Sequence, residues 1–110
     1  MPTDPQSWPP GIKAAVTDEG WVYLVISGDL DVTTVAALAD GLAWLAEVRP
    51  ARLIADMSGV DFLDCASARL LASMATFLPP GRPPVLTSVQ PAVRRLLQLT
   101  GLAANFELAD

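Results

Sequence analysis

Strand-forming runs alternate with segments of helical periodicity along most of this 110-residue chain. Two strand-like runs come first, and three helical segments then alternate with three further short runs. Because a tight turn joins antiparallel strands and a helical crossover joins parallel ones, this order predicts a mixed sheet. The predicted elements are a hairpin of residues 12–17 and 21–27, a helix from Thr33 or Thr34 that ends before Pro50, a strand at 52–57, a helix from Cys65 to about Phe77, a strand at 85–89, a helix that begins at Pro91 and is stopped by Gly101, and a strand at 106–109.

The predicted order is β-β-α-β-α-β-α-β, which places the chain in the α/β class with a mixed sheet. We expect one layer of four to five strands covered by helices. The composition is typical of a chain that builds a core, because 52% of the residues are hydrophobic and 17% are charged. Several prolines near the start predict a flexible tail over residues 1–11, followed by one domain over residues 12–110.

Composition also argues against several functions. The net charge of −5, with only seven basic residues, disfavours direct binding to nucleic acid. The chain has no His and one Cys, so it lacks the commonest general base and cannot form a cysteine-based zinc cluster. We therefore expect no enzyme activity, no cofactor and no bound metal. Neither a signal peptide nor a bilayer-spanning apolar run is present, which predicts a cytoplasmic protein without membrane insertion.

A corner that leads directly into a helix is the segment with the most distinctive chemistry. Asp64 is a good N-cap, because its carboxylate can accept from the unpaired N–H groups of the first turn. Cys65, Ala66 and Ser67 then occupy that turn, where the helix dipole favours negative charge. The segment therefore suits a small side chain that carries or recognises an anionic group such as phosphate. Asp31 is likewise a candidate cap for the first helix.

Four segments, in this order and spacing, resemble motifs of the STAS family, which includes bacterial anti-sigma factor antagonists and the cytoplasmic domains of sulfate transporters. The resemblance covers about residues 12–109 and implies the STAS fold. The corner resembles the family's Phe-hydrophobic-Asp-Ser-Ser-Gly motif. The four segments are Gly28-Asp29-Leu30-Asp31, the stretch from Leu53 to Val60, Phe62-Leu63-Asp64-Cys65-Ala66-Ser67, and the stretch from Pro91 to Leu102.

The resemblance implies a switch controlled by phosphate. An antagonist of this type binds an anti-sigma factor, commonly also a serine kinase, and so releases a sigma factor to regulate transcription. The kinase phosphorylates the second residue after the corner Asp, and the phosphate adds about −1.5 to −2 charges that clash with the docked partner. In this chain that position is Ala66, which has no hydroxyl. The resemblance therefore predicts binding that the usual kinase cannot switch off.

Ser67 is the remaining candidate phosphosite. One step along a helix rotates a side chain by about 100°, so Ser67 need not point where the family's serine points. Cys65 is either a small, partly buried thiol in place of serine or a redox-sensitive thiol. The resemblance implies a partner-binding surface formed by the loop at 29–33, the corner and the exposed face of the second helix. Its candidate residues are Asp29, Asp31, Thr33, Asp61, Asp64, Cys65, Ala66, Ser67 and Arg69.

Alternative hypotheses remain open at this point. The same fold also suits an accessory subunit of an ABC lipid transporter or a multi-protein signalling scaffold. An enzyme that uses Cys65 with Asp31 or Asp64 is a third hypothesis, although no general base is present.

An uncovered sheet edge or face would support a homodimer. Trp44 lies off the apolar stripe of the first helix, so it either packs against a sheet edge or, if exposed, marks an interface. Expected core residues are Met57, Phe62, Met74, Phe77 and Phe106.

Overall fold

The computed structural model describes residues 11–109, which form a five-stranded mixed sheet with three α-helices and two short 3₁₀ helices. The strands lie in chain order across the sheet. The predicted α/β class and element order are confirmed. The predicted tail lies outside the described residues, apart from Gly11. The elements are β1 (Ile12–Val16), β2 (Trp21–Ser27), α1 (Val35–Val48), β3 (Arg52–Gly59), α2 (Cys65–Ala72), a 3₁₀ helix (Ser73–Phe77), β4 (Val85–Thr87), α3 (Pro91–Leu99), a second 3₁₀ helix (Leu102–Asn105) and β5 (Glu107–Ala109).

A tight turn joins β1 and β2 into the predicted antiparallel hairpin. Gly20 has a positive φ of 81°, which a residue without Cβ adopts at little cost. The Thr17 hydroxyl accepts from the N–H of Trp21 at 3.2 Å, and this bond closes the turn. From β2 onwards every neighbouring pair of strands is parallel, as the crossover helices require.

All three α-helices cover the same face of the sheet. In β2, Val22, Leu24 and Ile26 are buried, whereas the alternating Tyr23 and Val25 are exposed. Residues of α1, α2 and α3 join the same apolar core as the buried face of β2. The opposite face, which we call the outer face, carries no helix within residues 11–109. None of the helices in that range has the length and apolarity that crossing a membrane requires.

Several local predictions need correction. The second helix becomes a 3₁₀ helix after Ala72, because the Ser73 hydroxyl bonds back to the Leu70 carbonyl and competes with regular α geometry. The fourth strand ends at Thr87 rather than 89, since Ser88 has a φ of 55°. Phe62 was expected in the core but is 50% exposed. Trp44 is buried in the core, so its packing alternative is the correct one.

Candidate functional site

Two loops that are distant in sequence lie against each other where the parallel strands end. The N–H of Leu30 donates to the Phe62 carbonyl at 2.9 Å, and the N–H of Asp64 donates to the Leu30 carbonyl at 3.0 Å. Leu30 and Leu63 thereby form an isolated parallel bridge, and both side chains are buried. We call residues 28–34 and 60–64 the paired loops. Their contact follows from topology, because parallel strands deliver their following loops to one edge of the sheet.

Asp31 organises the first of the paired loops and caps the turn that leads into α1. Its carboxylate accepts from the Thr33 N–H at 2.9 Å and from the Thr33 hydroxyl at 2.6 Å. Its carbonyl accepts from the N–H of Val35, the first residue of α1, at 2.9 Å. The N-cap position of the regular helix is Thr34, which makes no side-chain cap bond, so the predicted capping by Asp31 acts on the turn just before α1. The hydroxyl bond from Thr33, followed by the backbone bond, lowers the pKa of Asp31 below its ordinary value.

Asp64 caps α2 as predicted. Its Oδ1 accepts from the Ser67 N–H at 2.7 Å, three residues further along. Removing such a cap typically costs about 1 kcal/mol of stability. The cap also fixes the direction in which α2 leaves the corner, and hence which of its first-turn side chains face outward.

The first turn of α2 separates Ser67 from its two predecessors. Cys65 and Ala66 are exposed, and they share their helix face with the exposed Arg69, one turn further on. Ser67 is 0% exposed, and its Oγ has no hydrogen-bond partner among the described residues. Ala66 and Ser67 are neighbours in the helix, but Ala66 lies on the accessible face and Ser67, which carries the only hydroxyl of this turn, lies on the core side. We call Cys65, Ala66 and Arg69 the α2 stripe.

Gln90 contributes to the site from the far end of the sequence. Its side-chain Nε2 donates to the Ser58 carbonyl and to the Asp61 carboxylate, both at 2.9 Å. Gln90 is the N-cap residue of α3, so these bonds tie α3 to the start of the corner. Sequence reasoning missed Gln90, because no local pattern links it to residues 29 and 32 positions earlier.

Two exposed apolar side chains flank the contact between the paired loops. Val32 is 81% exposed and follows Leu30 by two residues, while Phe62 directly precedes Leu63. Sequence reasoning assigned Phe62 to the core and did not single out Val32. Six large hydrophobic side chains among residues 11–109 are exposed, and two of them lie in these loops. Exposed apolar groups surrounded by polar ones are typical of protein–protein contact sites.

The remaining predicted residues of the paired loops are polar and exposed. Asp29, Thr33 and Asp61 are exposed, and the Asp29 carbonyl accepts from the Thr34 hydroxyl at 2.9 Å. The structure therefore brings the loop at 29–33, the corner and the start of α2 together, with Ser67 turned inward. No group of three or more His, Cys, Asp or Glu side chains within residues 11–109 is placed to hold a metal ion. The site combines two exposed apolar side chains with exposed carboxylates.

The family model of the STAS domain matches residues 13–110. The chain belongs to the STAS domain family. A curated relative of this STAS chain is the anti-sigma-F factor antagonist RsfB of Mycobacterium tuberculosis, 29% identical over 103 residues, which cover 93% of this chain and 84% of RsfB.

Solved structures agree with this assignment. An anti-sigma factor antagonist from Mycobacterium paratuberculosis superposes with a TM-score of 0.74 at 30% identity, over 92% of this chain and 88% of that one. The anti-sigma factor antagonist SpoIIAA in its unphosphorylated form gives a TM-score of 0.73 at 20% identity, over 90% and 88% of the two chains. The likeness to SpoIIAA shows the shared STAS fold.

Proposed function

We propose that this STAS protein is an anti-sigma factor antagonist, which binds an anti-sigma factor and so releases a sigma factor for transcription. The observation that carries the proposal is the exposed surface formed by the paired loops and the α2 stripe, which includes the exposed apolar side chains of Val32 and Phe62. RsfB and the Mycobacterium paratuberculosis protein are antagonists of this kind, which favours this function over a transporter subunit. The protein acts in the cytoplasm as a binding protein and not as an enzyme.

The composition of this surface indicates the chemistry of its partner. Its apolar side chains require a complementary apolar patch, because fully desolvated contacts contribute most of the binding energy. The surface also carries the exposed carboxylates of Asp29 and Asp61. A partner with basic side chains near an apolar patch would therefore gain in association rate and in specificity.

Phosphate control is the point where this chain differs from the family pattern. The expected partner is an anti-sigma factor of the serine kinase type. Ala66, at the position of the family's phosphorylated serine, is exposed but has no hydroxyl. Ser67 has a hydroxyl but is buried, so a kinase reaches it only if the start of α2 opens. The antagonist therefore stays in its binding form in the presence of the kinase and ATP.

Incubation with the purified cognate anti-sigma factor and radiolabelled ATP tests this function. The wild-type protein should bind and take up no phosphate. The variant Ala66→Ser should bind, take up about one phosphate and then dissociate, because the new hydroxyl lies on the exposed face beside the docked partner. Ser67→Ala is the matched control and should behave as the wild type. Failure of the wild type to bind, or stoichiometric phosphate on Ser67 that abolishes binding, would contradict the proposal.

A further inference from the structure

The outer face of the sheet is a second surface, separate from the paired loops. Tyr23 and Val25 of β2 are 39% and 47% exposed there. The register places the half-buried Ile54 of β3 beside Tyr23, and Val85 of β4, which is buried, beside Ile54. Trp21 lies next to Tyr23, with ring centroids 6.4 Å apart. Residues 11–109 thus leave an aromatic and aliphatic patch without a covering helix, which is the usual mark of a contact surface.

The charge of this face distinguishes it from the rest of the molecule. By register, Lys13 and Arg52 contribute two positive charges, while Asp56 and Glu107 contribute two negative ones. The strands of the outer face therefore carry no net charge, and Arg82 adds one positive charge at the edge of this face, beside Arg52 and Glu107, so the negative net charge of the chain arises from the remaining residues. A second copy, which carries the same net charge, meets the least repulsion when it approaches this face.

The charges are also spaced for self-recognition. Arg52 and Asp56 point to the same side of β3, four residues and about 13 Å apart, with Ile54 midway between them. The Arg52 guanidinium rests over the Trp21 ring at 5.4 Å and contacts Glu107 at 3.8 Å, and its Nε is buried, so the donors available to a partner are on its terminal nitrogens. The Asp56 carboxylate accepts from the Ser58 N–H through Oδ1 and also bonds the Ser58 side chain, which leaves further acceptor positions of the carboxylate for a partner.

We propose that a second copy of this chain docks on the outer face through a two-fold axis that crosses the strands at Ile54. This axis places Arg52 of each copy opposite Asp56 of the other. It also places Tyr23 against Tyr23 of the second copy and Trp21 against Val25 of the second copy. Glu107, which the register puts level with Ile54, comes opposite Glu107 of the second copy, and Arg52 of its own chain, 3.8 Å away, offsets its charge there. Face-to-face sheets pack about 10 Å apart, which these side chains can fill. The paired loops and the α2 stripe stay accessible, so the dimer does not depend on the proposed function.

The size of the face sets the expected strength of the dimer. Five strands span about 20 Å, and the patch extends about 13 Å along β3. That is small beside a standard interface, which buries about 800 Å² on each partner. We therefore expect a weak, reversible dimer with a dissociation constant of about 10–1000 µM.

Charge-reversal variants test both the docking face and the register. Sedimentation equilibrium measures their association at concentrations up to about 500 µM, which lie within the range of the expected dissociation constant. The wild type should dimerise with increasing concentration. Arg52→Asp alone and Asp56→Arg alone should each stay monomeric, because like charges then face each other at both contacts. An equal mixture of these two variants should dimerise again, since each reversed charge meets its opposite in the other chain. Circular dichroism melting confirms that each variant is folded.

A pair of matched valine variants locates the interface independently and still decides the question if a charge reversal fails to fold. Val25→Glu on the outer face should abolish the dimer, whereas Val32→Glu in the paired loops should leave it intact. Four results would overturn the proposal: a wild type that is monomeric throughout, single charge variants that dimerise normally, a mixture that stays monomeric, or dissociation by Val32→Glu in place of Val25→Glu. Cross-linking of the outer face to residues 1–10 of the same chain in a monomer would also overturn it.

Discussion

Two aspartates of the candidate site act through hydrogen bonds to neighbouring residues. Asp31 holds the turn at Thr33, and Asp64 holds the first turn of α2 through the Ser67 N–H. Both bonds are charge-assisted, which makes them stronger than bonds between neutral groups. Each aspartate therefore fixes the shape of one half of the surface, even where its carboxylate does not itself contact a partner.

The Asp31 turn gives stability that depends on pH. Because the folded state lowers the pKa of Asp31 below 3.8, the contribution is fully present above the unfolded pKa and is lost as pH falls through the folded pKa. In Thr33→Val the main cause of the shift is removed, so the pKa of Asp31 should rise while the Thr33 backbone bond keeps it below 3.8. NMR titration of the carboxyl carbon measures the change. Thr100→Val removes an exposed hydroxyl just after α3 as a control, and an equal change in the pKa of Asp31 in that variant would contradict the assignment.

Phe62 should be an energetic centre of partner binding. Phe62→Ala removes an exposed ring beside the Leu30–Leu63 bridge, and truncation of such a residue costs about 2 kcal/mol or more of binding, at least tenfold in affinity. The stability of the protein should change little, because the ring is half exposed. Calorimetric titration with the anti-sigma factor measures the loss. Leu99→Ala, which removes an exposed apolar side chain from α3, is the control and should leave affinity unchanged.

At the scale of elements, the site depends on how α3 is joined to the corner. Gln90 stands at the N-cap of α3, and its two bonds reach the end of β3 and the start of the paired loops. Pro91 follows at the first helical position, as predicted, and holds the start of α3 in the helical φ range. A helix from the last third of the chain therefore restrains a loop in the middle.

Removal of the Gln90 amide should loosen the corner without unfolding the domain. In Gln90→Ala the Asp61 carboxylate and the Ser58 carbonyl return to solvent, so we expect faster amide hydrogen exchange at residues 58–62. Affinity for the anti-sigma factor should fall about threefold to tenfold, since a more mobile loop must be ordered on binding. Gln98→Ala, an exposed amide on the same helix, is the control. Unchanged exchange at 58–62 in Gln90→Ala would show that the two bonds do not restrain the loop.

At the scale of the whole molecule, one sheet separates two surfaces of different character. The helical side holds the apolar core and, at its edge, the paired loops and the α2 stripe. The outer side is apolar and its strands carry no net charge, but it has no helix over it in residues 11–109. The two surfaces do not overlap, so one copy can present both at once.

Truncation of two adjacent residues of β3 should show that the two faces of the sheet differ in burial. Leu53 is fully buried in the core and Ile54 lies on the outer face. Leu53→Ala should lower the free energy of unfolding by about 2–5 kcal/mol, because it leaves a cavity. Ile54→Ala should lower it by about 1 kcal/mol, since its side chain is only partly buried. Urea unfolding at low micromolar protein concentration measures both, and equal losses would show that the outer face is covered in the monomer.

Local signals predicted most of the fold. Alternation of strand and helix patterns predicted the element order, the short gap between the first two strand-like runs predicted the hairpin, and Asp64 predicted the start of α2, since each depends on residues close together in the chain. Predictions were wrong where a side chain had two competing local partners, or where tertiary packing decided whether a side chain is buried. Ser73 bonds back into its own helix, and Phe62 leaves the core because the corner turns its ring outward.

The sequence by itself determined the α/β class, the capped corner, and the presence of alanine where the family pattern has a phosphorylated serine, because these follow from short-range patterns and residue identity. Only the tertiary structure decided that Leu30 pairs with Leu63, that Gln90 restrains the corner, that Ser67 faces the core, and that no helix of residues 11–109 covers one face of the sheet. These features depend on contacts between distant segments, which form only once the strands have paired and the helices have packed on one face of the sheet.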